Sequence, residues 1–192
     1  YYFMKAIGFG SDGSFSWEDL SARYNAELAN GFGNLASRVI AMIKKYFDGS
    51  VPKPGDYTEA DLAIQKIAAA AINEANIALD KVAIHDAISK VWTLVDELNG
   101  YITEQEPWAL AKDEANRGRL ATVLYTTAEG LRILAVLLSP IVPKATAKLW
   151  AAIGGELGEL SSQRIQDDSW GKLPVGTKLG DLEVLFPRVE EQ

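Results

Sequence analysis

The fold is decided by one stretch of this chain, residues 84–107, which reads IHDAISKVWTLVDELNGYITEQEP. Its apolar side chains recur every three or four residues, which is the period of one face of an α-helix. The apolar positions are Ile88, Val91, Trp92, Val95, Leu98 and Ile102. Pro107 ends the pattern because its ring disfavours helical geometry in Glu106. The stretch therefore predicts a helix over about 84–105 that buries one face.

The same period indicates four further helices on the two sides of this stretch. Ser16 precedes the first of them, and its hydroxyl can accept a hydrogen bond from an early backbone N–H. The second is rich in alanine and is expected to bury Leu62, Ile67, Ile72 and Leu79. An all-α fold, a helix bundle, is therefore predicted. Its helices span about 17–47, 58–82, 84–105, 117–138 and 144–153.

The two ends of the chain differ from the bundle. Glycines interrupt residues 154–192, and only Leu182, Val184 and Phe186 alternate with the two-residue period of a strand. We expect a C-terminal tail there that is irregular or forms one short β-strand. Residues 1–15 are rich in turn residues, which is typical of a connector. The predicted parts are thus a connector at 1–15, a helical bundle at 16–153 and a tail at 154–192.

The composition is that of a folded globular domain, with 48% hydrophobic and 23% charged residues in a chain of 192. Cysteine is absent, which fits a reducing compartment, so the cytoplasm is the expected location. No apolar stretch approaches the ~20 residues that cross a bilayer, so no membrane span is expected. The opening Tyr1–Met4 is expected to be an internal cut rather than part of a signal peptide.

The net charge of −7 argues against a broad basic surface that holds nucleic acid by general phosphate neutralisation. We expect no DNA partner, and any contact with RNA has to be local. No catalytic residue and no metal site are predicted either. His85 is the only histidine and has no cysteine nearby to complete a metal site, and no glycine-rich loop has the spacing that cradles phosphates.

The first predicted helix carries Asn30, Asn34 and Arg38 at successive spacings of four, which places them along one side. Amide and guanidinium groups offer the donors and acceptors that read unpaired base edges. Gly31 and Gly33 lie among them and would let another chain approach the helix closely. The stripe is therefore a candidate RNA-reading face. The alternative is a solvated helix face with Arg38 paired to an acid.

A second candidate is Trp108, which follows the helix-ending Pro107 directly. Its ring can leave the helix axis there and present a face on which an unpaired base stacks. The alternative is a tryptophan folded over the end of the bundle as a cap.

The sequence resembles the methionyl-tRNA synthetase family, in its bacterial form. The most specific segments are YNAELAN at 24–30, NLASR at 34–38 and EQEPWALAK at 104–112. Further matching segments are YYF at 1–3, DGSFS at 12–16, LLSPIVP at 137–143 and LFPR at 185–188. Together these segments are spread over nearly the whole chain.

The resemblance implies the C-terminal anticodon-binding bundle of a class I synthetase. It implies that Asn34 and Arg38 read the anticodon CAU of methionine tRNA and that its first base stacks on Trp108, after Pro107. The implied partners are that tRNA and the catalytic domain of the same enzyme, on which the N-terminal connector and the C-terminal tail would pack. The parent enzyme would use ATP and Mg²⁺, but the HIGH-type and KMSKS-type catalytic motifs of the family are absent from these residues.

Two alternatives stay open at this level. One is the related anticodon-binding bundle of a sister class I synthetase with a different tRNA. The other is a non-catalytic helical scaffold whose grooves bind a protein or peptide.

We predict that the 192-residue chain by itself binds no ATP and forms no methionyl-adenylate, because nothing in the sequence can cradle a triphosphate. Titration calorimetry of ATP into the protein measures this directly. Saturable binding at micromolar affinity would contradict the interpretation.

Overall fold

The computed structural model describes residues 1–8, 10, 12–154 and 156–189. Phe9 and Ser11 of the predicted connector, and Gly155 and residues 190–192 of the predicted tail, lie outside the described residues. The α-helices of the described chain are α1 (Tyr2–Ala6), α2 (Trp17–Arg23), α3 (Asn34–Phe47), α4 (Glu59–Asp80), α5 (Ile84–Gln105), α6 (Pro107–Leu110), α7 (Arg117–Leu138) and α8 (Pro143–Ile153). Single 3₁₀ turns lie at Glu114–Asn116, Leu160–Ser162 and Ile165–Asp167. The predicted all-α fold is confirmed.

The first predicted helix is continuous from Trp17 to Phe47, but its middle part has a different geometry. Residues Tyr24–Gly33, between α2 and α3, form a π-helix. Its hydrogen bonds reach back five residues instead of four, so it turns less per residue than an α-helix. The side chains of α3 therefore point in a different direction from the one they would have if residues 17–47 formed an unbroken α-helix.

Helices α5 and α7 form the centre of the bundle. All six apolar residues predicted to face the core from α5 are buried. Helix α7 is buried on every side, from Leu120 to Leu138. Together with the preceding turn it is long and apolar enough to cross a membrane, but its most apolar window lies wholly inside the bundle. In this fold it is the core helix on which the others pack.

The buried face of α4 differs from the predicted one. Ile72 is buried and Ile67 is half-buried against the core, but Leu62 and Leu79 are exposed. The residues that face the core are Asp61, Ile64, Ala68, Ala71, Ile72, Ala75 and Ala78. The reason is the burial of Asp61, which turns its neighbour Leu62 towards solvent. The small alanine side chains bring α4 close to its neighbours, as its composition indicated.

Asp61 is fully buried and forms an ion pair with Arg119 of α7. Arg119 Nη2 donates to Asp61 Oδ1 at 3.0 Å, and the Tyr101 hydroxyl and the Thr58 backbone N–H also donate to this carboxylate. Burial by itself raises the pKa of Asp61, but these hydrogen bonds outweigh it and hold the pKa below its ordinary value. The pair links the start of α4 to α5 and α7.

The tail contains no strand at residues 182–186. Its β-like pairing lies earlier, where Lys178 forms an isolated antiparallel bridge with Ser50. Val51 donates to Thr177 O at 2.9 Å, and Gly176 donates to Val51 O at 2.8 Å. The residues after α3 offer free backbone groups there, whereas the alternating residues 182–186 meet no second strand in the described chain. Alternation alone therefore predicted the wrong segment.

Apolar side chains are left exposed at both ends of the described chain, as expected of surfaces that pack on something else. Phe3, Met4 and Val184 are exposed. The ends are not uniformly open, however, because Tyr2 and Leu185 are buried against the bundle.

We predict that Asp61→Asn lowers the free energy of unfolding at pH 7 by roughly 3 kcal/mol, because it leaves the charge of Arg119 without its buried partner. A group with a lowered folded-state pKa stabilises fully above its ordinary pKa and loses that effect as the pH falls through the folded value. The difference in the free energy of unfolding between Asp61→Asn and the wild type should therefore become smaller at acidic pH. Urea unfolding between pH 7 and pH 2 measures it.

The matched control is Asp56→Asn, since Asp56 is exposed. It should change the free energy of unfolding by no more than about 0.5 kcal/mol. Equal effects of the two substitutions would show that the buried pair has no special role.

Candidate nucleic-acid interface

Two residues of the predicted stripe lie on the first turns of α3. Asn34 is the first residue of α3 and is exposed, and Arg38 is half-buried. One helical turn separates them, or about 6 Å along the axis. The amide and the guanidinium therefore face the same surface region.

Trp108 is placed by a sharp change of direction after α5. Glu106 has φ 44° and ψ 57°, in the left-handed region, rather than the extended backbone that a following proline favours. Its carbonyl accepts hydrogen bonds from the N–H groups of Ala109 and Leu110, which start α6. Pro107 is buried as the first residue of α6. A non-glycine residue in this conformation costs about 1–3 kcal/mol, and such strain is concentrated at functional sites.

The structure brings Arg38 and Trp108 together. The guanidinium carbon of Arg38 lies 5.7 Å from the centre of the Trp108 ring, a cation–π contact. The Trp108 side chain is 38% exposed, so it is not a buried cap on the bundle. One surface therefore carries an accessible indole, a guanidinium that lies over the indole and the exposed amide of Asn34.

Asn30 has a different environment. It is exposed in the last turn of the π-helix, and its side-chain oxygen accepts hydrogen bonds from Arg188 at 3.1 Å (Nε) and 2.8 Å (Nη2). The predicted continuous stripe is therefore divided. Arg38 contacts Trp108 and Asn34 lies one turn before it on α3, while Asn30 binds an arginine of the tail.

Sequence reasoning missed Arg188 and Phe186 as neighbours of this region. Local spacing gave no signal for them, because they lie more than 150 residues from Asn30 along the chain. It also missed two cation–aromatic contacts near the end of α3. Lys45 lies 5.2 Å from the centre of the Tyr46 ring, and Arg117 lies 4.9 Å from that of Phe47.

The acidic residues that lie near Trp108 in the sequence are exposed: Glu104, Glu106, Asp113 and Glu114. His85 lies apart from this surface, and its Nδ1 is hydrogen-bonded to the carbonyl of Lys5. His85, at the start of α5, thus connects this helix to α1. The chemistry available around Trp108 is that of binding through a ring face, a fixed positive charge and amide donors and acceptors. These groups suit an unpaired nucleic-acid base better than a duplex.

Two protein families match parts of this sequence. Residues 51–192 match the family described as the anticodon binding domain of methionyl tRNA ligase. Residues 1–40 match the family described as class I tRNA synthetases (M). Asn30, Asn34 and Arg38 therefore fall in one match, and Pro107 and Trp108 fall in the other.

Whole-sequence relatives agree with these matches. The methionine–tRNA ligase of Streptomyces coelicolor is 50% identical to this chain, covering 100% of the chain and 37% of the relative. The methionine–tRNA ligase of Caldanaerobacter subterraneus is 40% identical, covering 99% of the chain and 29% of the relative. The chain thus spans about a third of the length of the curated relatives it matches.

Solved structures agree as well. The apo form of Mycobacterium tuberculosis methionyl-tRNA synthetase superposes with a TM-score of 0.91 at 34% identity, covering 100% of this chain and 38% of that one. The structure of the same enzyme bound by methionyl-adenylate has a TM-score of 0.89, covering 97% of this chain and 37% of that one.

We predict that the contact between Arg38 and Trp108 persists in solution. With 5-fluorotryptophan incorporated, the five tryptophans should give separate ¹⁹F resonances, and Trp108→Phe identifies that of Trp108. Arg38→Gln should shift this resonance, because the charge over the ring is removed, while the stability changes by less than about 1 kcal/mol.

Lys66→Gln is the control for this measurement, because Lys66 is exposed and lies on α4, a different helix from those of Arg38 and Trp108. An unchanged Trp108 resonance in Arg38→Gln would mean that the two side chains do not touch in solution.

Proposed function

Because the chain belongs to the methionyl-tRNA ligase family, we propose that its bundle recognises the CAU anticodon of methionine tRNA. It does so as part of a longer cytoplasmic enzyme that joins methionine to this tRNA with ATP and Mg²⁺. The observation that carries the proposal is the contact of Arg38 with Trp108 at 5.7 Å. Each of these two residues was a candidate from its own sequence segment, and the fold brings them to one surface.

Trp108 is the stacking platform in this proposal. Stacking of a base on an aromatic side chain contributes about 1–3 kcal/mol and needs no basic groove. This fits a chain whose net charge is −7. Arg38 lies over the same ring, so its donors are positioned for the edge of a base or for the adjacent phosphate.

Asn34 supplies the specificity that a ring face lacks. Its amide has donors and an acceptor and is exposed at the start of α3, one turn from Arg38. Paired donors and acceptors are what discriminates one base edge from another. We therefore assign base reading to Asn34 and Arg38, with Pro107 as the residue that sets the position of Trp108.

The N-terminal aromatic surface is the proposed contact with the catalytic domain of the same enzyme. Phe3 and Phe15 stack with ring centres 5.8 Å apart, and Trp17 packs edge-on against Phe15 at 4.8 Å. All three are exposed, Trp17 to 70%. Such a cluster is expected under a partner domain rather than in water, and the match of residues 1–40 to the class I synthetases supports this occupant.

We expect Trp108→Ala, in the full-length enzyme that carries this chain, to lower the discrimination between methionine tRNA and an anticodon-altered tRNA. The loss should be about five-fold to over a hundred-fold, because a stacking platform of about 1–3 kcal/mol is removed. Arg38→Ala should lower the discrimination between the two tRNAs by a similar factor. Aminoacylation kcat/KM with both tRNAs measures it, together with methionine activation, which should be unchanged.

Two variants make the result specific. Trp108→Phe keeps a stacking face and should retain most of the discrimination, and Arg164→Ala removes an exposed arginine of the tail and should have no effect. Unchanged charging by Trp108→Ala would exclude the stacking role. Loss of both charging and methionine activation would mean that Trp108 is structural.

A further inference from the structure

Residues 185–189 of the tail lie directly on the π-helix that precedes Asn34. The side chain of Asn25 binds the backbone of Val189 in both directions. Its Nδ2 donates to Val189 O at 2.8 Å, and its Oδ1 accepts from Val189 N–H at 3.0 Å. A single π-helical side chain thus fixes the end of the described tail.

Two further contacts complete this docking. Arg188 donates twice to Asn30, at 3.1 and 2.8 Å. The Phe186 ring packs against Tyr24 and Phe32, with ring centres 6.2 Å apart in each pair. These contacts reach from the first residue of the π-helix to its last turn.

Gly33 permits the close approach of the tail. A Cβ atom there would lie 3.2 Å from Phe186 Cδ2 and 3.0 Å from the Leu28 carbonyl oxygen, both tighter than ordinary contacts. Gly33 is also the last residue of the π-helix. The residue that permits the close packing of the tail therefore directly precedes Asn34 in the sequence.

The π-helix sets the direction of the reading residues. The backbone N–H of Asn34 donates to the Ala29 carbonyl, five residues earlier, so Asn34 closes the last π-helical turn. A π-helix is rare, and it occurs often at functional sites. Reversion to α-geometry would rotate α3, with Asn34 and Arg38, relative to Trp108.

We propose that residues 185–189 are a clamp that holds the π-helix and so positions Asn34 and Arg38 for anticodon reading. Asn25, Asn30 and Phe186 are positioning residues in this scheme, and Gly33 makes room for the clamp. The inference rests on the proposed function. It also gives Asn30 an indirect role, through Arg188, in place of direct base reading.

The test is Asn25→Ala in the full-length enzyme, with aminoacylation kcat/KM measured on methionine tRNA and on an anticodon-altered tRNA. The substitution removes both bonds to Val189 and leaves Asn34, Arg38 and Trp108 unchanged. Residues that act through coupling typically change the outcome by about two-fold to thirty-fold, and we expect a loss of discrimination in this range. Asn25→Asp keeps the bond from the Val189 N–H and should show an intermediate loss.

Gly33→Ala provides a second route to the same result, because its methyl group displaces Phe186. Asn73→Ala, on the exposed face of α4, is the matched control and should leave discrimination unchanged. Methionine activation should be unchanged in every variant. It reports that the enzyme is folded.

Three results would overturn the clamp. They are unchanged discrimination in both Asn25→Ala and Gly33→Ala, an equal loss of charging with both tRNAs, and a parallel loss of methionine activation in both variants. If Trp108→Ala retains discrimination, the proposed function itself fails. If Trp108→Ala loses discrimination and neither Asn25→Ala nor Gly33→Ala does, only the clamp fails.

Discussion

A buried ion network in the middle of α7 ties the central helix to the tail. Glu129 and Arg132 are both fully buried, and Arg132 Nε lies 3.0 Å from Glu129 Oε2. Glu129 also accepts hydrogen bonds from the backbone N–H groups of residues 171–173, and Arg132 donates to Asp168 at 2.9 Å. Two charges in a protein interior are tolerated only when such partners satisfy them. The tail supplies the partners, so the central helix cannot be buried in this way without the tail being held in place.

From this network the tail runs towards the proposed RNA-binding surface. After residues 171–173 it pairs its backbone with the residues that follow α3, at Val51. It then reaches the π-helix at the start of α3, where Phe186 and Arg188 pack. The two ends of α3 are thus both contacted by the tail. The helix that carries Asn34 and Arg38 is held by the same segment that satisfies the buried charges of α7.

Recognition on an acidic chain has to come from a few well-placed groups. With a net charge of −7 and exposed acids around Trp108, the long-range field of this chain does not favour a polyanion. A ring face and a guanidinium held over it contribute binding free energy only at short range, so the long-range field has little effect on this contribution. Under the proposed function, this arrangement favours selectivity over affinity, because a partner without a base placed to stack on Trp108 would meet mainly negative charge.

Local signals in the sequence were sufficient to predict the five long helical segments and the segments that carry the candidate site residues. The bounds of α5 and α7 agree with the predicted ones, because apolar period, proline and helix-capping signals act within a few residues of each other along the chain. The segments around Asn34, Arg38 and Trp108 were likewise identified from local residues. Three features could not be predicted in this way: residues 24–33 are π-helical, Asp61 is buried and Asn30 binds Arg188. Each of these features depends on a partner that is far away in the sequence. Tertiary packing decides whether a backbone N–H bonds to the carbonyl four or five residues earlier, and it decides which face of a helix turns inward. No local sequence pattern contains this packing.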